Sequence, residues 1–250
     1  MTYKDIPDHP LLAPPYGPMI TDFHDISRNI MARDKVFYDG HPVAAVAATS
    51  ERIAKAALSL IRVEYEILPH VLDPFEAAGA DAPILHDYQY TLGSDPKSSK
   101  PSNVFRVASS ERGDLSKGFA EAEIIVEREF RSQPVHQGYI EPQALVATAA
   151  DGSVDLWTTT QGHFVIRGYC ARLLNMDMSS IRVTASEIGG GFGGKNNLYS
   201  EPVAIRLSQK TGRPVRFVMT RSEVFRATGP ASGTYSHLRI GAKKDGTIVA

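Results

Sequence analysis

Short apolar runs with polar residues set between them punctuate the chain, and each predicts a regular element. In the first third, "PVAAVAAT" (42–49) reads as a buried strand and "RVEYEILP" (62–69) as an alternating one. Between them, "SERIAKAALSLI" reads as a helix, with Ser50 as N-cap and Ile53, Ala56, Ala57, Leu60 and Ile61 at helical spacing. The three together predict a strand–helix–strand unit. Residues 1–30 are rich in proline, and "DHPLLAPPYGPM" is expected to be irregular, because proline fixes φ and removes a donor. The stretch "LGSDPKSSKPSN" (92–103) is polar, carries two prolines and has no periodicity, which predicts a linker between domains.

The second half carries more signals. "EIIVEREFR" predicts a strand, and "ALVATAA" and "SVDLWTTT" predict a hairpin turning at Asp151-Gly152. "HFVIRGYCARLLNM" predicts an amphipathic helix, "IRVTASEI" a strand, "SEPVAIRLSQKTG" a helix ending at Gly212, and "PVRFVMT" a strand. "HLRIGAKKDGTIVA" predicts a final hairpin, while "TRSEVFR" reads as a solvated face. Long antiparallel pairs mixed with helices place the chain in the α+β class. The division expected is residues 1–91, a linker at 92–103, and residues 104–250.

Composition narrows the function classes. The 250 residues are 42% hydrophobic and 22% charged, with a formal net charge of −1, so no global basic field favours nucleic acid. No apolar run is long enough to span a membrane. The start "MTYKDIPDHP" has no basic and apolar leader pattern, so no signal peptide is expected there. The single cysteine, Cys170, excludes an intrachain disulfide and a cysteine-ligated iron–sulfur or zinc site within this chain. It reads as a small core hydrophobe, and a cytoplasmic location is expected.

The candidate chemistry lies in "EIGGGFGGKNN" (187–197). Glycines after a strand let backbone N–H groups approach an anion without Cβ obstruction. Gly189, Gly191 and Gly194 spell a dinucleotide fingerprint, but the next strand ends in Thr220 and Arg221 and not in an acidic residue. Gly189 to Lys195 spells most of a phosphate loop, but Asn196 stands where a magnesium-binding hydroxyl belongs. A tight structural turn is the remaining plain reading. His136 and Glu141 in "PVHQGYIEPQ" are expected to shape a turn, since two residues fall short of a metal site. His163 is expected to cap the helix it begins.

Several segments together resemble the molybdenum hydroxylases, the large molybdopterin-binding subunits of the xanthine dehydrogenase, aldehyde oxidase and carbon monoxide dehydrogenase family. The resemblance is carried by "GGGFGGK" after a strand, "TTTQ" about thirty residues earlier, "VHQGYIEPQALVA", and the "VFYDGHPVAAVAATSERIAKAALSLIRVEYEILPHVLDPFEA" stretch. It implies a partial α/β hammerhead domain over residues 1–91 and part of the first molybdopterin-binding α+β domain over 104–250. It implies that Gln161 hydrogen-bonds near the molybdenum. It also implies that Gly191, Phe192 and Gly193 bring a phenyl ring and backbone amides to the metal's oxo ligand. Asn196 would border the substrate pocket; purine-hydroxylating members carry glutamate there, and an arginine where this chain has Ala231, which argues against xanthine-like substrates. No residue matches the family's catalytic glutamate, and none is expected to ligate the metal directly. The implied cofactor is molybdenum-molybdopterin, with the cytosine dinucleotide as one form. FAD and 2Fe-2S clusters are expected on partners: an iron-sulfur small subunit and an FAD-binding medium subunit, in a dimer of heterotrimers. The chain reads as an internal fragment, inactive alone, of an oxidoreductase that hydroxylates a carbon centre with water-derived oxygen. The competing readings are a non-catalytic binding or assembly module and a phosphate-loop nucleotide-binding protein.

Overall fold

A computed structural model of the protein describes residues 1–10 and 22–250. The proline-rich stretch expected to be irregular lies outside the described residues beyond position 10. The chain is α+β and divides into two compact units, Met1–Glu64 with His136–Ala231, and Tyr65–Val135 with Ser232–Ala250.

The first unit is built on a four-stranded sheet. Strands β2 (Ala144–Ala150) and β3 (Ser153–Thr158) form the expected hairpin. Asp151 and Gly152 both have positive φ, +50° and +78°, as a tight hairpin turn of this hand requires. Helix α5 (His163–Leu173) then returns the chain to β4 (Ile181–Ala185), which pairs parallel to β3. Helix α6 (Glu201–Thr211) ends at Gly212, whose φ of +62° stops it, and β5 (Val215–Val218) pairs antiparallel to β2. The sheet order is β4-β3-β2-β5.

Alternation along β2 buries Leu145, Ala147 and Ala149 on one face, and β3 adds Val154, Leu156 and Thr158. Ile166, Cys170 and Leu173 of α5 and Val203, Ala204, Ile205 and Leu207 of α6 complete this core. The Ser208 hydroxyl accepts from Ala149 N–H at 2.9 Å and donates to Arg213 O at 2.8 Å, which satisfies the end of β2 where no strand can.

Helix α1 (Phe23–Ile30) forms within the first thirty residues, with the Asp22 side chain capping His24 N–H. It buries Phe23, Ser27 and Ile30, a stripe at i, i+4, i+7, and the Phe23 ring meets Tyr169 edge-on at 5.7 Å. Helix α2 (Glu51–Leu58) starts at Ser50 as expected, yet buries no residue. The two strands expected around it do not form; only Ala44 makes an isolated bridge, to Thr2. A strand needs a partner for its ladder; Met1 and Thr2 pair only with Ala44 and Ala45, and no described segment pairs along 62–69. "TRSEVFR" is not a bare solvated face: Arg221–Ala227 is helix α7, with a Thr220–Glu223 capping box and Val224 fully buried.

The second unit holds α3 (Pro74–Ala77), α4 (Leu115–Glu121) and a two-stranded antiparallel sheet of β1 (Ile124–Ser132) and β6 (Thr234–Ala242). Residues 92–103 fall inside this unit and are tied down: Leu92 bridges in parallel to Arg106, and Ser102 N–H donates to Gln89 O at 2.9 Å. The final turn at 243–246 returns Ile248 to Ala242 by one bridge. Among the described residues, no helix is long and apolar enough to cross a membrane.

Candidate functional site

Parallel pairing of β3 and β4 brings two strand ends side by side, with Thr158 opposite Ala185. The chain leaves β3 through Thr160 and Gln161 and leaves β4 into the glycine loop. The two exits are fastened together. Gln161 N–H donates to Lys195 O at 3.1 Å, and the Thr160 hydroxyl donates to the same oxygen at 3.0 Å. The Gln161 side-chain oxygen, Oε1, accepts from Gly193 N–H at 3.0 Å and from Lys195 N–H at 3.2 Å.

Those two bonds fix the amide's orientation. Two backbone donors demand an oxygen, so Nε2 is turned away from them. Gln161 is exposed, and its Nε2 has no protein partner among the described residues. The expectation that Gln161 meets the loop holds in geometry; the detail differs. The Gly193 amide does not face outward, because Gln161 already occupies it. Among the described hydrogen bonds none uses the N–H groups of Gly190, Gly191 or Phe192, while Gly194 N–H closes a turn onto Gly191 O at 2.7 Å.

The local backbone explains the glycines. A Cβ on Gly191 would lie 2.5 Å from Gln161 Oε1, so any side chain there would push Gln161 off the loop. Gly193 has open space but a φ of +88°, so substitution is strained without a clash. Phe192 also adopts a left-handed φ, +49°, and its ring is 75% exposed. An exposed phenyl on a strained backbone is an unusual choice for a turn that does nothing else. Asn196, next after the buried Lys195, is exposed.

Glu141 and Lys195 meet beneath the loop, with Lys195 Nζ 2.6 Å from Glu141 Oε2. The lysine side chain is fully buried and its ammonium lies 4.9 Å from the Tyr139 ring centroid. A phosphate loop needs this ammonium free for phosphates, which the pairing precludes. The dinucleotide pattern fails as well, since α6 begins only at Glu201, seven residues after Gly194. His136 accepts from Gly138 N–H at Nδ1 and lies 2.8 Å from the Thr228 hydroxyl at Nε2, so it shapes the turn. Arg221 donates to Tyr139 O at 2.9 Å and to Ile140 O, holding the Glu141 segment from the α7 side.

Behind the loop, Glu201 is buried, with its carboxylate accepting from the Thr158 hydroxyl at 2.9 Å and Tyr199 N–H at 2.8 Å. Burial pushes this carboxyl above its usual range, and the hydrogen bonds only partly offset that. The Tyr199 hydroxyl donates to Gly194 O at 3.2 Å, and burial pushes its phenol up to about 12, so it stays a neutral donor.

Comparison with known sequences decides the family. The pattern described as "Molybdopterin cofactor-binding domain" matches residues 97–250, and "Aldehyde oxidase and xanthine dehydrogenase, a/b hammerhead domain" matches residues 1–69. The chain belongs to the molybdenum hydroxylase family. Molybdopterin is therefore the cofactor class of its larger matched domain. It is 33% identical over 275 residues to the probable hypoxanthine oxidase XdhD of Escherichia coli (strain K12), covering 100% of this chain and 28% of that protein. It is 32% identical over 226 residues to the carbon monoxide dehydrogenase large chain of Afipia carboxidovorans, covering 88% of this chain and 28% of that one. The aldehyde oxidoreductase from Desulfovibrio gigas superposes with a TM-score of 0.80 at 25% identity, covering 99% of this chain and 26% of that structure. The chain thus spans about a quarter of the length of these relatives.

Proposed function

We propose that the protein contributes one wall of the molybdopterin site in the large subunit of a molybdenum hydroxylase, an oxidoreductase that hydroxylates a carbon centre with oxygen from water. One observation carries the reading most strongly: two loop amides, from Gly193 and Lys195, pin the Gln161 side-chain oxygen, so its Nε2 is turned away from them on an exposed residue beside the glycine loop. Gln161, Gly191 and Phe192 are the residues that would hold the cofactor, and Gly193 would serve through the loop shape that its φ of +88° and its N–H bond to Gln161 set. The residues present fit such a group, because a cradle that a Cβ at Gly191 would destroy lies next to the Gly190, Gly191 and Phe192 N–H groups, which no hydrogen bond among the described residues uses.

When bound, the cofactor supplies the two-electron chemistry and passes electrons onward. The chain's own residues do simpler work. Gln161 Nε2 and the free loop amides offer fixed N–H dipoles to an anionic partner and need no reorganisation to do so. The exposed Phe192 ring would offer an apolar face to the cofactor and keep water from it. Asn196 would border the substrate side with a neutral amide, and with Ala231 this argues against a purine held by charge. No residue of this chain acts as the catalytic base in this reading, so the chain alone is inactive.

The division into a hammerhead part at 1–91, a linker at 92–103 and a pterin-binding part at 104–250 belongs to the same proposal; the matches at 1–69 and 97–250 support the order of the two parts. So do the cytosine dinucleotide form of the pterin, FAD and 2Fe-2S on medium and small partner subunits, a dimer of heterotrimers, and a cytoplasmic location. The test is metal and pterin analysis of the full-length protein purified with its natural partners. Stoichiometric molybdenum and pterin are expected; a magnesium-dependent nucleotide complex without molybdenum would refute the reading.

A further inference from the structure

The glycine loop is held from two sides, and Gln161 is only one of them. On the other side Glu141 Oε2 accepts from Gly189 N–H at 2.9 Å and from Lys195 Nζ at 2.6 Å, while Glu141 N–H donates to Gly189 O at 3.2 Å. Gly189 and Lys195 bound the loop, and a single carboxylate draws them together. Lys195 touches both holders, through its backbone N–H to Gln161 and its ammonium to Glu141. Between the two ends lie three left-handed residues, Gly190 at +91°, Phe192 at +49° and Gly193 at +88°. A run this rich in glycine samples many conformers when its ends are free. The left-handed Phe192 persists only where its surroundings over-determine it.

We propose that Glu141 and Lys195 are positioning residues, closing the loop's ends on one carboxylate so that Phe192 and the free amides keep the posture that receives the cofactor. The proposal rests on the cofactor-binding reading above. Stability alone does not explain the pair. An apolar pair of similar volume commonly holds a fold as well as a buried ion pair does. It would leave Gly189 N–H without its acceptor and would fix neither loop end. Tyr139, under the ammonium, and Arg221, gripping the carbonyls of Tyr139 and Ile140, keep Glu141 from retreating.

The experiment is hydrogen exchange on the full-length protein, co-expressed with its natural partners in a host unable to make molybdopterin. Lys195→Met and Glu141→Gln should each speed exchange across 187–197 by about tenfold, from loss of a local closure. The double variant should add little to either single one, as a coupled pair requires. Residues 145–158 should keep wild-type protection, which reports an intact core. In a cofactor-competent host the same variants should lose most of their pterin. Glu141→Gln keeps an oxygen for Gly189 N–H and serves if Lys195→Met fails to fold. Unchanged loop exchange in Glu141→Gln, or fully additive effects in the double variant, overturns the proposal. A wild-type protein carrying no pterin would remove the cofactor reading, while loop exchange would still decide whether the pair positions the loop.

Discussion

Strands β1 and β2 look alike on paper, and the fold treats them in opposite ways. Both carry apolar residues that predict a strand, and both pair antiparallel with a neighbour. In β2, Leu145 is 6% exposed and Ala147 0%. In β1 every position is exposed, with Val126 at 48% and Phe130 at 56%. The difference lies in what covers the sheet. Strand β2 is flanked by two strands and packed under α6, so alternation becomes burial. Among the described residues, β1 has one strand partner, β6, and no helix packs on it as α6 does on β2. A hydrophobic pattern specifies a strand; only a second layer turns that strand into a core.

The largest expected effect tests that contrast directly. Leu156→Ala, at a position fully buried in β3, should cost about 3 kcal/mol in urea unfolding followed through Trp157, the chain's one tryptophan and a neighbour in the same strand. Val126→Ala in β1 should move the same transition by less than about 0.5 kcal/mol. Equal shifts would erase the distinction between the two regions.

A smaller effect concerns pH. Glu201 has its carboxyl raised from an ordinary value of 4.5 by burial. The folded state therefore holds its proton to higher pH than the unfolded chain does. Stability should fall as pH rises from 4.5 through the raised value and level off above it. Glu201→Gln can keep both contacts, its oxygen accepting from Tyr199 N–H and its NH2 donating to the Thr158 hydroxyl. Unfolding measured across that range should show a flatter profile and no loss at neutral pH. A variant as pH-dependent as the wild type would assign the slope elsewhere.

The smallest effect leaves stability untouched. Cys170 is fully buried in α5, and burial pushes its thiol well above the usual range. Alkylation should be on the order of a hundredfold slower in the native protein than in urea. Rapid native labelling would mean that the core of the first unit opens readily.

The hairpin at Asp151-Gly152 and the stop at Gly212 were legible because each depends on local backbone chemistry, and both residues sit at positive φ. The meeting of Gln161 with the glycine loop was legible because consecutive strands tend to be neighbours. The pairing of β1 with β6 was not, since Ile124 opposes Ala242 across more than a hundred residues and no local signal sets that register. Helix α1 was hidden by prolines just before it, although Asp22 and the Phe23, Ser27, Ile30 stripe were readable. Lys195 was the chief miss at the site. A lysine after glycines reads as part of a phosphate-loop pattern, with its ammonium turned to a ligand. Its partner, Glu141, stands 54 residues earlier in the chain, so only the fold reveals the pair.

The central claim is that Gln161 Nε2, left free by the loop, serves the cofactor. Gln161→Glu isolates that atom. The new carboxylate can still accept from Gly193 and Lys195 N–H, so loop exchange should stay at the wild-type rate, while the donor is gone. Turnover per bound molybdenum in the full-length enzyme should then fall by about a hundredfold, the usual cost of one lost preorganised donor. Wild-type turnover per molybdenum in Gln161→Glu, with the loop still closed, would contradict the account.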